Sequence, residues 1–159
     1  MYKNIRSLVK VLKEKGITLA LAESVTCGLA VQKMSTCQGI SEVLTGSIIC
    51  YTPDVKMNLL GVKKSVIERY TCESEQVTAA LVNGLKRLIK ADVYAAITGL
   101  ASPGGSETTS KPVGTIFFSL SYDNRIVNSR SVFKGSPLQI REQACNKLYS
   151  LILSEVKKH

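Results

Sequence analysis

The sequence predicts an α/β fold, a three-layer α/β/α sandwich on a mixed, mainly parallel sheet with a β-hairpin near its C-terminal end. Two patterns carry that expectation. Segments with apolar residues at helical spacing alternate with short apolar runs of strand length. One pair of strand-like runs flanks Tyr122-Asp123-Asn124, a natural hairpin turn. The length of 159 residues suits one domain over residues 1–159, with enough chain for a substantial core.

Residues 4–15 place Ile5, Leu8, Val9 and Leu12 on one helical face, and Gly16 closes the helix. Residues 17–22 form an apolar strand. Residues 26–36 read as a helix through Leu29, Val31 and Met34, and 46–52 as the next strand. A helix follows from Pro53 to about Leu60, then a short one over 63–70. The strongest helix runs from Ser74 to Ile89, with Val77, Leu81, Leu85 and Leu88 on one face. Residues 92–98 form a buried strand, and 99–112 a polar loop rich in Gly, Ser and Pro. Strands over 113–121 and 125–133 make the hairpin. The last helix begins with Ser136 as N-cap and Pro137 at its first position, and carries Leu138, Cys145, Leu148, Ile152 and Val156 on its apolar face.

Composition narrows the function classes. Apolar residues are 45% and charged residues 21%, which argues against disorder. No apolar run approaches the roughly 20 residues of a membrane span, and the N-terminus lacks a signal-peptide core, so the cytoplasm is the expected location. Five cysteines, an odd number with no C-x-x-C pair, fit reduced thiols and argue against a disulfide framework or a structural zinc site. The single histidine is His159, the last residue, which argues against a His-based metal centre and a Ser-His-Asp triad within one chain. A hydrolase on this chain needs another base. The net charge of +9 comes from dispersed lysines and arginines, so solvated helix faces account for it better than a nucleic-acid surface does.

In open α/β sheets, sites form at the carboxyl ends of strands. Three such ends here are polar: 23–26, 51–56 and 98–105. In the second, Thr52 caps a helix and Lys56 falls near its N-terminus, where a cation is disfavoured by roughly 0.3–1 kcal/mol. That suits a general base or phosphate ligand; a lysine that snorkels to solvent is the plain alternative. The Gly99–Gly105 loop lets backbone N–H groups approach a phosphate or an oxyanion, or is simply a flexible connection. Around Glu23–Gly28, Ser24 and Thr26 can cap a helix or help bind an anion, and Cys27 falls in the first helical turn. Cys37, Cys50, Cys72 and Cys145 read as core fillers or bystanders. Arg141, one turn into the last helix after Lys134, and Lys111, at the end of the Gly-rich loop, are anion ligands or solvated cations.

These segments together resemble the CinA C-terminal domain family, whose enzymatic members are nicotinamide mononucleotide deamidases. The family's A-E-S-C-T-G-G stands here as Ala22-Glu23-Ser24-Val25-Thr26-Cys27-Gly28, and its P-G-S-S element as Gln38-Gly39-Ile40-Ser41. The G-x-V-x-Y-[ST]-x-x-x-K element runs from Gly46 through Tyr51 to Lys56. The [TS]-G-I-A-G-P-G-G loop is Thr98-Gly99-Leu100-Ala101-Ser102-Pro103-Gly104-Gly105. K-P-V-G-T is intact from Lys111 to Thr115, and the arginine of the F-x-G-x-x-x-x-x-R element is Arg141.

The resemblance implies hydrolysis of the mononucleotide amide to nicotinate mononucleotide and ammonia, with no metal or other cofactor. It implies a catalytic Ser41 and Lys56 helped by Tyr51, with Ser24, Thr98, Gly99 and Arg141 along the substrate pocket and Ser24 as the alternative nucleophile. It also implies a homodimer, and many members carry a larger N-terminal domain. Cys27 and Ser102 stand where the family has glycines, Ile40 where it has a serine and Val25 where it has a cysteine. Those changes crowd the expected pocket, so a non-catalytic nucleotide-binding module is the competing expectation. A nucleic-acid partner, recognised by salt-dependent association, comes third.

Overall fold

The structure, a computed structural model, describes residues 3–158. Helix α1 spans Lys3–Lys15, strand β1 Leu19–Glu23 and helix α2 Leu29–Met34. A single 3-10 turn, Ile40–Glu42, precedes β2 (Leu44–Ile49). Then come α3 (Pro53–Asn58), α4 (Lys64–Tyr70), α5 (Glu75–Leu88), β3 (Val93–Gly99), β4 (Thr115–Tyr122), β5 (Arg125–Val132) and α6 (Pro137–Lys157).

The five strands form one sheet in the order β2-β1-β3-β4-β5. Strand β1 lies between β2 and β3 and is parallel to both, while β4 is antiparallel to β3 and to β5. The sheet is therefore mixed, as expected, and its parallel half carries the polar strand ends. The hairpin turns through Asp123 and Asn124, both with positive φ (47° and 58°), the two-residue geometry that matches sheet twist.

Strand alternation divides the core into two layers. Leu19 and Leu21 of β1, with Val93, Ala95 and Ile97 of β3, pack beneath the α1 and α6 side. Ala20, Ala22 and Ala96 face the other way, against Val77, Leu81, Val82 and Leu85 of α5. Tyr149 of α6 is fully buried and donates its hydroxyl to the Ala30 carbonyl at 2.8 Å, tying α6 to α2. Among the described residues, no helix is long and apolar enough to cross a membrane.

Two elements differ from expectation. The strand expected over 46–52 ends at Ile49 because the chain turns at Cys50 and Tyr51, whose carbonyls accept from the Lys56 amine. The helix expected from residue 26 begins at Leu29, because Cys27 and Gly28 both have positive φ and cannot extend it.

Gly84 is where α5 meets the turn after α3. A Cβ there would lie 2.1 Å from the Leu60 carbonyl oxygen, a backbone atom with no freedom to yield. Gly84→Ala is therefore expected to destabilise the fold by about 2 kcal/mol in spite of its better helix propensity. Urea unfolding checks this, and a midpoint at or above that of the parent chain would refute the close approach.

Candidate active site

The three polar strand ends meet at one edge of the sheet. Glu23, the last residue of β1, is fully buried. Its carboxylate accepts hydrogen bonds from Thr26 Oγ1 (2.7 Å) and from the backbone N–H groups of Gly28 (3.0 Å), Ala30 (3.1 Å) and Val31 (3.1 Å). The Ser47 hydroxyl of β2 approaches it at 3.4 Å. The open first turn of α2 is thereby satisfied by a side chain that lies before it in sequence. Next to Glu23, Ser24 donates its N–H to the Ile97 carbonyl (3.0 Å), which fixes its backbone against β3.

Lys56 is also fully buried. Its Nζ lies 2.6 Å from the Cys50 carbonyl oxygen, 3.0 Å from that of Tyr51 and 3.1 Å from Ser24 Oγ. Two of these partners are carbonyls and can only accept. They take two N–H bonds, and the third tetrahedral position of the nitrogen points at the serine hydroxyl. In this arrangement the amine donates toward Ser24 Oγ. The arrangement replaces the expected role of the helix dipole: α3 has only six residues, and Lys56 lies in its last turn. Burial among three oxygens is what sets this lysine apart. Beside it, the Cys50 thiol is pushed up to about 11 by burial, with the Lys56 charge opposing, so it stays a neutral packing group.

Above the pair lies a pocket of about 310 Å³ lined by Ser24, Val25, Tyr51, Glu73, Arg141 and the loop from Gly99 to Gly105. Arg141 donates from Nε to the Val25 carbonyl at 2.9 Å, which anchors the guanidinium at the pocket wall. Tyr51 is 60% exposed at the rim. The Gly104 and Gly105 N–H groups are already occupied, each donating at 2.8 Å to the Glu107 carboxylate. These bonds hold Glu107 below the usual carboxylate range, that from Gly104 foremost. Among the described residues, the amides of Val25, Ala101 and Ser102, which line the same pocket, have no protein acceptor, unlike those of Gly104 and Gly105.

Of the residues expected at the site, the structure gathers Ser24, Tyr51, Lys56, Gly99 and Arg141. Thr98 lies just beneath, fully buried, with its hydroxyl 2.7 Å from that of Thr78 and not in the pocket lining. Ser41 is not brought to the cluster. It sits exposed on the 3-10 turn before β2, whereas Lys56 follows the other end of that strand. Six strand residues at about 3.3 Å each separate the two ends. The residues not anticipated are Glu73, Thr71, Ser106 and Glu107. Lys111, read as an anion ligand or a solvated cation, is neither: its Nζ bonds Thr71 Oγ1 (2.7 Å), Ser106 Oγ (2.8 Å) and the Glu73 carbonyl (3.1 Å). Burial pushes its amine below the ordinary lysine range, with Glu73 opposing. Among the described residues, no cluster of three or more His, Cys, Asp or Glu is placed to hold a metal ion.

The model of the CinA C-terminal domain matches residues 2–156. The chain belongs to the CinA C-terminal domain family. It is 36% identical over 152 residues to a CinA-like protein of Thermotoga neapolitana, covering 96% of this chain and 36% of that one. A CinA-like protein of Pseudothermotoga lettingae is 40% identical over 121 residues, 74% of this chain and 29% of that one. The chain thus spans about a third of these relatives. Among solved structures, a CinA superfamily protein of Escherichia coli superposes with a TM-score of 0.89 at 26% identity, covering 94% of this chain and 87% of that one. One from Klebsiella pneumoniae shares the fold with a TM-score of 0.93 at 22% identity, over 99% and 98% of the two chains.

Two departures from the family motifs can now be placed. Ser102 lines the pocket, and its φ is not positive, so a side chain there carries no backbone strain. Cys27 has φ 50°, the left-handed region that favours glycine, but it is exposed and stands outside the pocket lining. It strains the turn without narrowing the pocket. Cys27→Gly should therefore raise stability by roughly 0.5–1 kcal/mol, after the extra unfolded-state entropy of glycine is subtracted. Equilibrium denaturation checks this, and a loss of stability would place a stabilising role on the thiol.

Proposed function

We propose that this chain hydrolyses the carboxamide of nicotinamide mononucleotide, releasing ammonia and nicotinate mononucleotide. The observation that carries the reading is the 3.1 Å contact between Ser24 Oγ and the buried Lys56 amine, in a chain of this family, at the floor of a pocket that also holds Arg141. Ser24 Oγ attacks the amide carbon while Lys56 Nζ takes its proton. The negative charge that develops on the amide oxygen is met by free backbone N–H groups of the pocket wall. Lys56 returns the proton to the departing nitrogen, and ammonia leaves an acyl-Ser24 ester. Water, deprotonated by the same amine, then attacks the ester carbon and frees Ser24 and the acid. Arg141 pairs with the phosphate, and Tyr51 closes over the ring at the rim.

In this reading Ser24, not Ser41, is the nucleophile, because Ser24 alone of the two lies within reach of Lys56 of its own chain. Ammonia release from nicotinamide mononucleotide tests it. Ser24→Ala and Lys56→Met are each expected to lose about a thousandfold or more in kcat, since the two groups act as one unit. Ser41→Ala should remain within about twofold of the parent chain. Loss of turnover in Ser41→Ala with Ser24→Ala active would reverse the assignment. Saturable nucleotide binding with no ammonia from the unaltered protein would mark a non-catalytic nucleotide-binding module instead.

A further inference from the structure

The pocket contains one carboxylate and one guanidinium, and they reach it from opposite faces of the sheet. Arg141 comes from α6, on the α1 and α6 side, and Glu73 from the segment just before α5, on the other. Ser24 directly follows β1 between them.

The Glu73 carboxylate is held and still available. Its Oε2 accepts from Ser106 Oγ at 2.5 Å, and Ser106 is in turn bonded to Lys111 Nζ at 2.8 Å and Thr71 Oγ1 at 3.2 Å. Its backbone carbonyl accepts from the same Lys111 amine. Among the described residues, Oε1 has no protein donor and the carboxylate is in no ion pair. Lys111 spends its three N–H groups on two hydroxyls and a carbonyl, so it fixes Glu73 with no direct ion pair to its carboxylate, although the two charges act on each other. A half-buried carboxylate with one oxygen free, opposite an arginine, makes the pocket bipolar.

We infer that Glu73 is a specificity-determining residue that selects substrates carrying a positive charge on the ring that bears the amide. The inference rests on the mononucleotide reading above. Nicotinamide mononucleotide is dipolar, with a pyridinium at one end and a phosphate at the other. Arg141 takes the phosphate, and Glu73 lies at the cationic ring. Hydrolysis places a new carboxylate on that ring, which Glu73 repels, so the same residue that favours the substrate disfavours the product.

The test uses the dihydro form of the mononucleotide, which keeps the amide, ribose and phosphate but has a neutral ring. Calorimetric affinities for both forms are measured on the full chain carrying Ser24→Ala, with and without Glu73→Gln. The expected result is about tenfold tighter binding of the cationic form, and loss of most of that preference in Glu73→Gln through weaker binding of the cationic form alone. Retained affinity of Glu73→Gln for the dihydro form shows that the variant is folded. An equal change for both forms, or no change for either, overturns the inference and leaves the mononucleotide reading standing. Failure of both forms to bind the Glu73-containing chain overturns the two together.

Discussion

A carboxylate with no ion-pair partner among the described residues, buried at the end of β1, is the constraint on which this site is built. Among the described residues, Glu23 is in no ion pair. Its charge is spread instead over backbone N–H groups and hydroxyls from the turn after β1, the start of α2 and β2. Charge-assisted bonds of this kind are about twice as strong as neutral ones, and losing an acceptor here would strand several donors at once. The backbone of Glu23 works in the same direction, since its carbonyl accepts from the Cys50 N–H at 2.8 Å. One residue thus fixes the course of the chain on both sides of Ser24 and pins the end of β2, from which Lys56 hangs.

Lys56 answers a second constraint, the removal of an amine from water without a counter-ion. The chain supplies two consecutive carbonyls by leaving the sheet at Cys50, and that exit explains why β2 is shorter at its C-terminal end than its apolar sequence suggests. The third partner is the Ser24 hydroxyl, which is chemically reactive where a third carbonyl would not be. Buried polar groups are normally matched to inert partners. Here the third partner of the buried amine is a hydroxyl, so the energetic demand of burial sets a lysine against a serine at the pocket floor.

Much of this was legible in the sequence, and the part that was not has a physical reason. Caps and turns are local, so Thr52 and Ser136 could be assigned as N-caps, and each accepts the expected backbone N–H. Tyr51, Gly99 and Arg141 were legible because they lie just past strand ends or at a helix start. Ser24 was legible as a pocket residue and the alternative nucleophile, but its contact with Lys56 was not, because motif order says nothing about which end of a strand a residue occupies. Ser41 and Lys56 flank the same strand and are therefore held apart, whereas Ser24, further away in sequence, directly follows the neighbouring parallel strand. The network of Thr71, Glu73, Ser106 and Lys111 was invisible for a related reason: it joins residues up to 40 positions apart through side chains that each look solvated alone. The Gly104 and Gly105 amides were read as free because nothing in a glycine-rich loop reveals that Glu107, two and three positions on, folds back as their acceptor.

The architecture also explains how one small pocket holds opposite charges without their neutralising each other. In a three-layer sandwich the helices on the two faces never meet, and the sheet keeps their side chains apart up to its edge. Arg141 is tied to the Val25 carbonyl on one side, and Glu73 to Ser106 on the other. Each is committed to its own layer by a bond the other cannot compete for. An arginine and a glutamate on a single helix face would collapse into an ion pair worth little at a surface. Held on separate layers, the two form no ion pair with each other among the described residues. The polarity of the pocket is therefore a property of the layering, and the residues that secure it are the anchors behind the two charges.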